Sequence, residues 1–492
     1  MAATKDWLDR LVDFLWGLAL VCLPVTSFPY MPFIGKETQV RPLSIYPMLL
    51  LLPLLLIQMW KKKIKVWHHV FTPLVVFILI IIATAFSGAI YAPLDLHGQS
   101  YWGRFLRSAI TVIIGLAFFL YANWTTRNRE GLFASLKWLY LGLFITFLWG
   151  VVQLLVFSGK LMSESSLDVI QKMFSISGIS LKNLRIPGFA LEPSWLAGQI
   201  AVIYLPWLFA SILTGFNLTK WRWLEYILTA MAVFLLVLTY SRSGLAMVLV
   251  ACFLTTLFFG RKIILQVWNW WKQPFKSKTE QPSRIVRAIT MRLAIMVVLA
   301  ISLVLSLQAL GRNTYFSKLW QSRKSNLVEY VIDISGGPRL AYAWSGMEIF
   351  SQHPWTGVGL GASGFYLYTN LPDWSKTFIS EISTQLAPTN SNFPNTKNLF
   401  VRIIAETGIL GLGAFLGFLL YMLAQMLTFS NIPGGEARFF WVAGIFTWIV
   451  LILFSFTQDS FAMPNTWINL GMLLGVTSLV SKTVNITPKS CE

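Results

Sequence analysis

Six arginines stand in or beside the short polar stretches that punctuate the long apolar runs of this chain: Arg104, Arg107, Arg185, Arg242, Arg339 and Arg402. A guanidinium presents paired N–H donors in a fixed plane, a geometry that suits phosphate. Arg242 lies in Tyr240-Ser241-Arg242-Ser243-Gly244, between two apolar runs, and Arg339 follows Gly336-Gly337-Pro338. Pro338 fits the first position of a helix, and Leu340, Trp344 and Met347 continue with helical spacing. Arg339 would then sit where free backbone N–H groups favour an anion. An anionic ligand there would also relieve the mismatch between a cation and the helix dipole. Taken singly, each arginine is equally well read as a side chain snorkelling to headgroups, and Arg339 as an exposed residue of an amphipathic helix. Several on one face are better explained by a polyanion.

Carboxylates are few around these arginines. Glu192 lies in Pro187-Gly188-Phe189-Ala190-Leu191-Glu192-Pro193-Ser194, a proline-broken entry to an apolar run. It could accept a proton from a sugar hydroxyl or complement a helix N-terminus. Glu406, in Ala405-Glu406-Thr407-Gly408, falls inside an apolar run. An acid there is a functional candidate or an i+4 partner for Arg402. Trp195, Trp344 and Trp355 are placed to stack on sugar rings, whereas most of the 22 tryptophans read as interfacial anchors.

The elements that must position these groups are membrane helices. Of 492 residues 56% are hydrophobic and only 12% charged, which excludes a soluble globular protein. Continuous apolar runs exclude a transmembrane β-barrel, whose strands alternate. Spans are expected near 11–28, 43–59, 70–90, 105–122, 134–157, 192–214, 224–240, 244–260, 291–310, 399–426, 439–457 and 465–481. The expected fold is therefore all-α and polytopic, with about 12 transmembrane helices. It divides into helices over 1–310, one large extracytoplasmic loop over 311–398, and helices with a cytoplasmic tail over 399–492. The first run, preceded by Asp6, Asp9, Arg10 and Asp13 without a clear cleavage site, reads as a retained span. Cys22, Cys252 and Cys491 make no disulfide framework.

Charge sets the sides. The net charge of +19 gathers at Lys61, Lys62, Lys63 and Lys65, at Arg127 and Arg129, at Lys220 and Arg222, and through 261–292. All of these fall on one side if both termini are cytoplasmic. Segment 272–289 reads as a flexible basic cytoplasmic loop drawn to anionic lipid headgroups of the bilayer; no nucleic-acid partner is expected. The six arginines above then face outward, where the rule disfavours cations.

Other signals carry less. Gly359-Leu360-Gly361-Ala362-Ser363-Gly364 spells a dinucleotide fingerprint without a βαβ context, so it is read as a turn closing a loop helix. His68, His69, His97 and His353 lack metal-ligand spacing. There is no Walker motif and no Asp-x-Asp pair, so neither cofactor nor metal is expected. Gly413 and Gly417 form G-x-x-x-G, read as close helix packing.

Several of these stretches together resemble the O-antigen ligase/polymerase superfamily. Leu238 to Gly244 resembles its T-x-S-R-[GS] element. Gly337-Pro338-Arg339 through Trp344, then Pro354 to Gly361, resembles its R-x-x-x-W … P-x-x-G-V-G-x-G loop element. Asn398 to Gly411 resembles H-N-x-x-L-x-x-x-A-E-x-G-x-x-G, and Arg185 to Ser194 resembles R-x-x-G-x-x-x-E-P-S of polysaccharide polymerases. The resemblance covers about 185–415 in family order, together with the span pattern and the large outer loop.

The resemblance implies a GT-C-like, metal-independent membrane glycosyltransferase of the bacterial inner membrane. It would move glycan from an undecaprenyl diphosphate-linked oligosaccharide donor to a glycan or lipid-linked acceptor. Carried over by position, Arg242 and Arg339 would bind the donor diphosphate, with Arg185 lining the same cavity. Tyr240, Trp344, Lys397, Asn398, Arg402 and Glu406 are the further substrate-binding candidates. The ligases carry His just before the Asn, and here that position is Lys397. A protonated Lys could hold a leaving diphosphate but is a poor base near pH 7. That favours a polymerase of O-antigen or exopolysaccharide repeat units, with Glu192 as base or orienter. A ligase onto lipid A core or another acceptor is the second reading, and a lipid-linked glycan transporter the third. A chain-length regulator is a further candidate partner.

Overall fold

In the computed structural model the described residues are 7–30, 38–62, 71–92, 95–177, 185–276, 282–322, 324, 326–386 and 393–486. Asp6, Lys63, Lys65, His68, His69 and Cys491, singled out in the sequence, lie outside them. The described chain is helical, without a β-strand. It runs α1 (Trp7–Val21), α2 (Ile45–Lys62), α3 (Phe71–Ile90), α4 (Tyr101–Thr125), α5 (Arg129–Phe157), α6 (Glu164–Lys172) and α7 (Pro193–Gln199). A π-helical turn at Ile200–Tyr204 then leads into α8 (Leu205–Thr214), α9 (Arg222–Leu238), α10 (Arg242–Lys276) and α11 (Pro282–Arg312). Short helices follow: α12 (Thr314–Gln321), α13 (Leu327–Asp333), α14 (Gly337–Gln352), α15 (Ser363–Leu367), α16 (Asp373–Phe378) and α17 (Ser380–Leu386). Three long ones close the chain: α18 (Leu399–Thr428), α19 (Gly435–Ser455) and α20 (Pro464–Ile486).

Every span expected from the sequence overlaps one of these helices. Among the described residues, seven stretches are both long and apolar enough to cross a membrane: Phe71–Ile90, Tyr101–Thr125, Arg129–Phe157, Pro193–Thr214, Arg242–Phe259, Leu399–Asn431 and Gly435–Ser455. The chain is a multi-pass helical membrane protein. Helices satisfy their own backbone groups, which is what the bilayer demands. Side chains at their ends set the boundaries. Ser100 accepts the Gly103 N–H at 3.2 Å to start α4, and Asn128 accepts that of Gly131 at 2.7 Å to start α5.

Two readings change. Segment 272–289 is not an open loop, because α10 runs on to Lys276 and α11 begins at Pro282; only 277–281 lie outside the described residues. Ile, Leu, Val and Trp keep helical spacing beyond the apolar run of α10, and Pro282 suits the first position of α11. The G-x-x-x-G pair Gly413 and Gly417 does not mediate close packing, since a Cβ at either would meet nothing. Phe415, Phe418, Met422 and Met426 form the buried stripe of α18, and the two glycines fall roughly opposite it. The pair that does bring helices together is Gly471 and Gly475 of α20. Cβ atoms there would stand 2.3 Å from the Phe119 carbonyl oxygen and 2.0 Å from the Thr126 hydroxyl of α4.

The segment after α11 folds into a helical layer with an apolar core of its own. Ala341, Tyr342 and Ile349 of α14 gather there with Val358, Phe365, Leu367, Ile379 and Ile382. Tyr101 of α4 and Ala405 of α18 join the same cluster, so this layer is seated on the membrane helices.

Candidate functional site

Arg242 occupies the first position of α10. Ser241 caps that helix by accepting the Gly244 N–H at 3.2 Å, and Tyr240 takes a left-handed φ of 47° to turn the chain out of α9. The turn is held from two sides. Arg185 Nε donates to the Thr239 carbonyl at 3.0 Å, and the Ile186 N–H donates to that of Leu238 at 3.1 Å. Arg242 Nη1 donates at 2.6 Å to the carbonyl of Ile334, the C-cap of α13. A cation at a helix C-terminus is electrostatically favoured. From Ile334 the chain turns through Ser335, at φ 62°, and Gly336 into α14, with Pro338 in its first turn. Arg185 is thus tied to the turn that carries Arg242, and Arg242 to the end of α13 just before α14.

Arg339 is exposed on that first turn and makes no side-chain hydrogen bond or ion pair among the described residues. Trp344 is also exposed, about 140° further round α14, so one small ligand group cannot touch both. Trp355 is exposed in the next loop, whereas Trp195 packs against the helix core. Glu192 is the residue before the first turn of α7, yet its side chain caps no backbone N–H. Its carboxylate is exposed and accepts the Ser194 hydroxyl at 3.0 Å. Gly244 seats α7 on α10, since a Cβ there would come within 2.5 Å of that of Ala197.

A second constellation forms at the start of α18. Asn398 caps the helix through its side-chain oxygen, which accepts the N–H groups of Phe400 and Val401 at 3.0 and 3.1 Å. Arg402 donates from Nε to Glu406 at 3.1 Å, from Nη1 to the Asp459 carbonyl at 2.7 Å and from Nη2 to the Ser108 hydroxyl at 3.1 Å. The Ser363 hydroxyl donates to the other Glu406 oxygen at 2.8 Å. The i+4 spacing of Arg402 and Glu406 thus closes as an ion pair, with the Glu406 side chain 2% exposed. Lys397 stands just outside, at a left-handed φ of 53°. Its ammonium contacts Glu381 of α17 and lies 5.4 Å from the centre of the Tyr342 ring. Tyr342 is one turn along α14 from Arg339.

Asp459, in the loop between α19 and α20, was missed from the sequence. Its carboxylate accepts the Lys397 N–H at 3.2 Å and so holds that residue in its left-handed conformation. Burial pushes the carboxyl up, against the opposing pull of Arg402 and of the Lys397 N–H. No motif marks it; the signal was an acid in a short loop between two apolar runs. Asp459→Ala strands the Lys397 N–H and should cost about 1–3 kcal/mol. Asp459→Asn keeps an acceptor and should unfold close to the wild-type temperature, which thermal unfolding in detergent will show.

The glycines of Gly357 to Gly361 belong to a break in α18. Gly408 has φ 63° and ψ −164°, outside helical values. The Ile409 N–H, which in a continuous helix would bond Ala405, donates to the Pro354 carbonyl at 2.9 Å instead. The freed carbonyls of Ala405 and Glu406 accept the N–H groups of Val358 and Gly359 at 3.0 and 2.8 Å. The Pro354-Trp355-Thr356-Gly357-Val358-Gly359 loop is thus pinned to the N-terminal part of α18, beside Glu406.

Residues 227–416 match the family model described as O-antigen ligase. The matched stretch is similar to the O-antigen ligase/polymerase superfamily. No curated protein matches the chain. The O-antigen ligase segment spans from α9 to the middle of α18 and holds Arg242, Arg339, Lys397, Arg402 and Glu406. Arg185, Glu192 and Asp459 lie outside it; Arg185 reaches it through the Thr239 carbonyl, and Asp459 through Lys397 and Arg402. Among the described residues no three His, Cys, Asp or Glu side chains gather as a metal-ligand set.

Proposed function

We propose that the chain is a glycosyltransferase that polymerises glycan repeat units carried on undecaprenyl diphosphate, at the outer face of the bacterial inner membrane. The observation that carries the reading is the chain of contacts joining Arg185, Arg242 and the turn that presents Arg339, within and beside the O-antigen ligase segment. The proposal includes about twelve crossings with both termini cytoplasmic. It makes 311–398 the extracytoplasmic loop and gives the whole a GT-C-like architecture.

The chemistry asks mainly for charge stabilisation. The leaving group is a lipid diphosphate, already stable as an anion, so it needs preorganised donors more than a proton. Arg242 and Arg339 face it, with Arg185 and Lys397 at the margins. Arg402 and Glu406, bound to each other and to Ser108, Ser363 and Asp459, brace the start of α18 behind Lys397. Asn398 fixes the helix end that presents Lys397. The acceptor hydroxyl must be oriented and relieved of its proton. Glu192 is exposed, with a serine hydroxyl as its partner, and fits that task. Energy comes from the donor bond, so neither metal nor nucleotide is required. Glu192→Gln should slow transfer by about 100-fold or more without lowering folded yield; unaltered turnover would return Glu192 to a helix-end role.

Lys397 in place of the ligases' His supports polymerase over ligase. The test is incubation of purified protein with an undecaprenyl diphosphate-linked repeat unit, followed by product sizing. A ladder of lengthening products is expected. A single transfer onto lipid A core would make the chain a ligase, and lipid movement across the bilayer without a new bond would make it a transporter.

A further inference from the structure

Three acids meet the cations at the N-terminal part of α18, and they are not equivalent. Glu406 is 2% exposed and takes both the Arg402 guanidinium and the Ser363 hydroxyl. The Asp459 carboxylate accepts the backbone N–H of Lys397, not its ammonium. Glu381 meets the Lys397 ammonium from the seven-residue helix α17, and its side chain is 45% exposed.

Lys397 itself is well fixed. Asp459 holds its backbone, Asn398 starts the helix behind it, and its ammonium lies above the Tyr342 ring. Among the described residues, an ammonium held in this way and facing solvent has one replaceable partner, Glu381. We infer that Glu381 is the resting counter-ion of Lys397, a carboxylate held where a phosphate of the donor binds, and that the donor displaces it. The inference rests on the diphosphate reading of this cavity.

The arrangement makes Glu381 a determinant of donor affinity. An exposed carboxylate–ammonium pair contributes little, so a diphosphate with more charge and more acceptor oxygens outcompetes it. While the donor is absent, the carboxylate lowers the cavity's attraction for stray anions. α17 keeps a second tie that does not involve Glu381: Gln385 accepts the Tyr342 hydroxyl, and Ile382 is fully buried. Removing the charge of Glu381 therefore leaves the helix docked.

The test uses full-length protein in nanodiscs, with inorganic pyrophosphate as the probe and calorimetry as the readout. Glu381→Gln should bind pyrophosphate about fivefold tighter than wild type. Glu348→Gln, which removes an exposed acid elsewhere on the same layer, should leave binding unchanged, and all three proteins should unfold at similar temperatures. Equal affinity in wild type and Glu381→Gln, or an equal gain in Glu348→Gln, overturns the counter-ion role and leaves the diphosphate reading standing. Pyrophosphate binding to none of them overturns both.

Discussion

Arg339→Ala lowers glycan transfer by about 100- to 1000-fold, the usual cost of removing one preorganised donor from a developing anion. Fold and membrane yield are expected to stay at wild-type levels, because the Arg339 side chain is exposed and bonded to no protein group among the described residues. That separation makes Arg339 the cleaner of the two principal arginines. Arg242→Ala should lose as much activity, but it also removes the donor to the Ile334 carbonyl and loosens the turn that presents Arg339. Arg339→Lys should recover only part of the loss, since an ammonium restores charge without the planar pair of donors. The assay is transfer by purified protein, with thermal unfolding measured alongside. Near-normal products from Arg339→Ala would remove the diphosphate from this end of α14.

Gly408→Ala is the second large effect, and it acts through the fold. At φ 63° and ψ −164° a side chain is strained whatever the space. The added Cβ would also stand 2.2 Å from the Trp355 carbonyl oxygen. The strain can be relieved only by lifting the Pro354–Gly359 loop from the break, which strands the main-chain groups it satisfies in a setting with little water. The expected cost is on the order of 4 kcal/mol or more. Folded yield should fall sharply and transfer with it. A variant that unfolds within about 2 °C of wild type would contradict the account of the break.

The membrane helices were legible because each announces itself locally, as an apolar run ended by polar or capping residues. The arginine-bearing turns stood out because short polar stretches with arginines interrupt long apolar runs. The Arg402–Glu406 pair was foreseen as one of two alternatives from its i+4 spacing. What failed depends on partners distant in sequence. Gly413 and Gly417 satisfy a packing pattern on the wrong face of α18, while Gly471 and Gly475 do that work in α20. The glycines after Trp355 do form a turn after α14, as expected, but nothing local reveals that it is pinned into a break of α18 at Gly408. Asp459 and Glu381 carry no motif; they meet Lys397 from 62 and 16 residues away along the chain, and Asp459 also meets Arg402.

The central claim is that the outward arginines hold a lipid diphosphate while glycan leaves it. The most direct measurement is release of undecaprenyl diphosphate by purified protein given the lipid-linked repeat unit, with chelator present and nucleotide absent. The account predicts one undecaprenyl diphosphate freed for each new glycosidic bond, with release abolished in Arg339→Ala. No release, or release unchanged in that variant, would contradict it.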